Sequence, residues 1–121
     1  MNQPKFYSFN FHFGTDLINY RRATACIKQI ENTPVRTEYI AVAVCNPVDQ
    51  YVKHKGQAVA LASLIAGNVW AVVSTGNYRH AIKLTDHTLQ VGSQNLSFPA
   101  FLGELALTEM NSKYKGRRAQ V

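Results

Sequence analysis

Hydrophobic and polar residues alternate cleanly from Lys5 to Phe13, with Tyr7, Phe9, Phe11 and Phe13 on one side and Phe6, Ser8, Asn10 and His12 on the other. A period of two over that length predicts a half-buried strand with the aromatic side as its core face. Gly14-Thr15-Asp16 reads as a turn. Tyr20 to Ile30 reads as a second strand, with a short helix over Thr24 to Ile30 as the competing reading. Glu31-Asn32-Thr33-Pro34 is a turn signal. Tyr39 to Cys45 is then a continuous apolar run, the pattern of a strand covered on both faces.

Asn46-Pro47 ends that run, because proline removes a ladder donor and pushes the residue before it toward extended backbone. Asp49 suits a helix N-cap or an Asx turn. Between Gly56 and Gly67 the chain is alanine-rich and apolar nearly all round, which predicts a buried helix closed by Gly67-Asn68. Val69 to Ser74 reads as a strand, Thr75-Gly76-Asn77 as a hairpin turn, and Tyr78 to Leu84 as the strand pairing back. Thr88 to Val91 fits a short edge strand. Ser97 can cap a second helix with Pro99 in its first turn, an apolar face of Phe98, Phe101, Leu102, Leu105 and Met110, and Glu104 and Glu109 pointing outward. The order predicts an α+β fold: a mostly antiparallel sheet of about five to six strands with two helices packed on one face.

The 121 residues suffice for one core, and 46% hydrophobic with 17% charged is ordinary for a globular domain. The formal charge of +6 is unevenly placed. Lys113, Lys115, Arg117 and Arg118 stand beyond the last acid, Glu109, and without them the rest of the chain carries only +2. The expected organisation is therefore a globular domain over residues 1–111 and a basic, frayed tail over 112–121. That tail, with Tyr114 in it, suits phosphate contacts and equally suits a solubilising end. The start, Met-Asn-Gln-Pro-Lys, has no signal-peptide core and no apolar stretch reaches membrane-span length. The expectation is a cytoplasmic protein with no membrane partner. Cys26 and Cys45 are too few and too far apart for a zinc site, and read as free buried thiols.

Lys53, His54, Lys55 and Gly56 fall at or just before the first turn of the alanine-rich helix, where cations oppose the helix dipole. Their functional reading is an anion site, with helix N–H groups and a lysine holding a phosphate or carboxylate. The plainer reading, a solvated basic turn paired with Asp49, is favoured because helix N-termini attract anions generically. Around this loop the pattern Cys-x-Pro-x-Asp-x-aromatic-x-Lys-x-x-Gly-x-x-aliphatic-Ala, carried by Cys45, Pro47, Asp49, Tyr51, Lys53, Gly56, Val59 and Ala60, resembles one in small uncharacterised proteins of phages and other mobile elements. In that pattern an arginine often follows the glycine and another the alanines, where this chain has Gln57 and Ser63. Those departures remove two cations. The resemblance implies a phage-like origin and brings no activity with it.

The other constellations are weaker. The Tyr7, Phe9, Phe11, Phe13 stripe would serve as a base-stacking platform only with cations on its own face, and the core reading prevails. His12, His54, His80 and His87 lack metal-ligand spacing, so neither metal nor cofactor is expected. Tyr78, His80, Lys83 and His12 sketch a metal-free phosphodiesterase at best. The leading expectation is a non-enzymatic binding module of phage or mobile-element type. It would contact nucleic acid or another polyanion through Lys53, His54, Lys55, Gly56, Arg21, Arg22 and the tail cations Lys113, Lys115, Arg117 and Arg118. The alternative is a host-directed inhibitor or adaptor that binds a host protein. An edge strand also offers a route to a homo-oligomer.

Overall fold

The computed structural model describes residues 3–12, 20–30, 35–45 and 52–119. Strands β1 (Lys5–His12), β2 (Tyr20–Ile30), β3 (Arg36–Val44), β4 (Trp70–Thr75), β5 (Tyr78–Lys83) and β6 (Gln90–Gln94) form one sheet. Each strand is antiparallel to the next, and spatial order equals chain order. Helix α1 (Lys53–Ile65) falls between β3 and β4 in the chain, and α2 (Phe98–Ala119) follows β6. The fold is α+β, with a six-stranded antiparallel sheet and two helices. No helix among the described residues is long and apolar enough to cross a membrane.

The two helices do not share a face, which corrects the expected arrangement. Ala23, Ala25 and Ile27 of β2 and Ile40 and Val42 of β3 pack with Phe101, Leu102, Leu105 and Ala106 of α2. Cys26 and Ala41, one residue out of phase, point the other way and pack with Ala60 of α1 and with Val69. Side chains alternate across a strand, so a central strand apolar at every position needs cover on both sides. The α2 side holds the larger core, with Phe9, Phe11, Trp70, Val72, Ala81 and Val91 also in it. Phe98 meets Tyr7 of β1 edge-on at 5.9 Å and Arg79 of β5 at 5.3 Å. Strands four apart lie about 19 Å from each other in a flat sheet, so this one curves around the start of α2.

The aromatic stripe is a core face: Phe9 and Phe11 are buried and Tyr7 is partly exposed, while Phe13 lies outside the described residues. Thr75 pairs with Tyr78, leaving Gly76-Asn77 as a two-residue loop. Gly76 sits at φ +59°, a left-handed conformation that glycine adopts without a Cβ penalty. Ser97 caps α2 as expected. Its Oγ accepts the Ala100 N–H at 3.3 Å and its carbonyl the Phe101 N–H at 2.9 Å.

Three further expectations change. Helix α1 begins at Lys53, earlier than Gly56, and is largely exposed instead of buried. Ala60 alone in it is fully buried, while Val59 and Ile65 are 49% and 77% exposed. Alanine makes this possible, since it populates inner and outer faces at little cost to either. Glu109, expected outward, is buried, because it follows Leu105 by one turn and so shares the core face. Helix α2 continues through Asn111 to Ala119, so the basic segment has helical backbone, with cations at the end where the dipole favours them.

Candidate functional site

The expected anion site is built on the start of α1. Val52, in extended backbone (φ −123°, ψ 119°), occupies the N-cap without a side-chain hydrogen bond, and the first turn carries no acid. Helix geometry leaves the first N–H groups without intrahelical acceptors. Lys53, His54 and Lys55 are exposed there. Gly56 is half-buried and gives its N–H to the Val52 carbonyl at 3.0 Å, so that donor belongs to the helix. Asp49 and Tyr51 lie outside the described residues.

Arg21 and Arg22, adjacent on β2, point to opposite faces of the sheet. Arg22 lies on the α1 face, where its Nη1 donates to Asn10 Oδ1 at 3.2 Å, and its carbonyl accepts the Cys45 N–H at 2.9 Å. The start of β2, the end of β1 at His12 and the end of β3 therefore meet at the sheet end from which the chain passes into α1. Arg21, paired in register with Phe11, lies on the α2 face and does not join this group. Lys113, Lys115, Arg117 and Arg118 fall on the last turns of α2, and their side chains lie outside the described residues.

The residues sketched for phosphodiester hydrolysis are not brought together. Lys83 faces α2 and is buried against Glu109, whereas His80 emerges on the other face with Nε2 3.2 Å from Gln90 Oε1. His12 stands on β1, four strands from β5. Among the described residues no group of three His, Cys, Asp or Glu side chains could hold a metal ion.

Sequence reasoning missed a second cationic site. Arg36 of β3 pairs in register with Ser74 of β4, Ser74 with Arg79 of β5, and Arg79 with Ser93 of β6. This makes a straight rung across four strands on the α2 face, alternating arginine and serine. A cavity of about 590 Å³ opens over it, walled by Arg36, Ser74, Asn77, Arg79, Asn95 and Ser97. The Arg79 guanidinium lies over Phe98 at 5.3 Å and Phe101 at 5.6 Å, and its Nη1 donates to the Leu96 carbonyl at 2.9 Å. Arg36 approaches Glu38 at 3.5 Å but keeps a side chain 63% exposed. Only strand register unites these residues, so no local motif announces them. No known protein family matches this chain, and neither does any curated protein or solved structure.

Proposed function

We propose that the chain is a non-enzymatic binding module, of phage or mobile-element type, that contacts a polyanion of the nucleic-acid class. One observation carries the reading: α1 opens with exposed Lys53, His54 and Lys55, no acid in its first turn and no side-chain cap. Cations at that position work against the fold, by about 0.3–1 kcal/mol each, and favour an anion supplied from outside. Arg22 at the same sheet end, and the cations on the last turns of α2, add positive charge.

The test is fluorescence anisotropy with labelled single- and double-stranded DNA and RNA over a salt series. Binding is expected to weaken linearly in log salt, and the slope to shrink by about one per contacting lysine removed. The paired variant Lys53→Glu, Lys55→Glu should lose most of the affinity. Replacing Lys113, Lys115, Arg117 and Arg118 by Gln measures the share of α2. Absence of binding at low salt removes this reading.

A second reading, docking to a host protein, is favoured by the outer side of α1, where Ala58, Val59, Ala62 and Ile65 form an exposed apolar stripe. Substituting Ile65 by Glu would then abolish binding to the partner while leaving nucleic-acid affinity intact.

A further inference from the structure

We propose that the Arg36–Ser74–Arg79 rung is a binding site for a phosphate group, independent of the polyanion contacts at α1. Two guanidinium groups rise from β3 and β5 with only the Ser74 strand between them, which sets their Cα atoms about 10 Å apart. Both arginines line the one cavity that opens over that gap. No carboxylate lines the cavity to offset the two positive charges. Glu38 meets Arg36 from the side and leaves its other donors free to turn inward.

Arg79 is already held in place. The Leu96 carbonyl takes one donor and the rings of Phe98 and Phe101 support the guanidinium, so little rotamer freedom is lost on binding. The rim is fixed too. Asn95 holds φ at 64°, uncommon for a residue other than glycine, and is pinned to Asn77 by side-chain and backbone hydrogen bonds. Two guanidinium groups in the lining of one cavity suit a tetrahedral dianion, which can present oxygens to both, better than a planar carboxylate, which fills one.

The test uses the full chain, titrated with inorganic phosphate against a chloride background of constant ionic strength and followed by amide and arginine side-chain NMR shifts. Saturable shifts are expected at Ser74, Gly76, Asn77 and the Arg79 side chain. Ser74→Asp places a carboxylate between the two guanidiniums; it should preserve or raise the melting temperature and weaken phosphate binding at least about tenfold. Arg79→Lys, which keeps the charge but not the fork, should also weaken it. Lys53→Glu with Lys55→Glu should leave it unchanged, which separates this site from the one at α1. A 5′-phosphorylated trinucleotide that outcompetes both its 5′-hydroxyl twin and inorganic phosphate assigns the phosphate to a nucleic-acid end. Parity with inorganic phosphate assigns it to a free or small-molecule phosphate. No saturable shift by about 10 mM phosphate, or a Ser74→Asp protein that binds like the parent, overturns the proposal.

Discussion

Trp70 donates its indole N–H to Glu109 Oε1 across 2.7 Å, tying the first residue of β4 to a helix position 39 residues later. The same oxygen takes the Lys83 ammonium, which also lies 5.5 Å from the Trp70 ring. All three side chains are buried, so each polar group depends on the others for what water would otherwise supply. Glu109→Ala leaves a buried lysine uncompensated and should cost about 3–5 kcal/mol in urea unfolding. The double variant Lys83→Met, Glu109→Gln keeps an acceptor for the indole and removes both charges. It should recover most of that loss, because a well-packed neutral pair avoids the desolvation of two ions.

Cys26 is fully buried between the sheet and α1, and this burial pushes its thiol up from the ordinary value of 9.0. Cys45, one residue beyond β3, is half-buried, and neither cysteine is in a disulfide. Iodoacetamide at mildly alkaline pH should therefore add once to the native protein, at Cys45, and twice in denaturant. A native double adduct would place Cys26 in reach of solvent and contradict the packing of α1.

Asp86 accepts hydrogen bonds from the Thr88 hydroxyl at 2.6 Å and the Thr88 N–H at 3.1 Å, which fix the turn between β5 and β6. These bonds, the hydroxyl first, hold its carboxyl below the ordinary 3.8. A lowered native pKa means the unfolded chain takes up the proton first. The stabilisation is complete above pH 3.8 and is lost as pH falls through the lowered native value. Thermal melts across that acid range should show this slope in the parent and a flatter one in Asp86→Asn.

Ile65 is the most exposed large aliphatic residue among the described ones, and Leu102 one of the most buried. Ile65→Gln should change stability by no more than about 0.5 kcal/mol, while Leu102→Ala should cost about 2–5 kcal/mol through lost burial and the cavity left behind. A large effect at Ile65 would show that the outer side of α1 is covered in solution.

Most strands were legible from their patterns: alternation in Lys5 to His12, an unbroken apolar run in Tyr39 to Val44, and a glycine turn between Thr75 and Tyr78. Tyr20 to Ile30 also fitted a helix in part, and β6 lies two residues later than the expected Thr88 to Val91. The helix at Ser97 was legible from its cap. The run ending at Cys45 already implies cover on both faces, which is incompatible with both helices on one side. Glu109 was misjudged because its charge outweighed its spacing from Leu105. The Arg36–Arg79 rung was hidden for a different reason. It exists only through two pairings via β4, and no local pattern in a sequence records which residues become neighbours two strands away.

The chain-order sheet with α2 placed after it has a consequence for synthesis. Every strand of a growing chain finds its neighbour as soon as that neighbour emerges, so the sheet needs no long-range search. Phe9, Phe11, Ile40 and Val42, however, wait for Phe101, Leu102 and Leu105 to cover them. At about 5–20 residues per second, the interval between the making of β1 and of that helix face is about five to twenty seconds. Through that time the ribbon grows strand by strand on the ribosome with its oily side naked, the form in which chaperones would meet it.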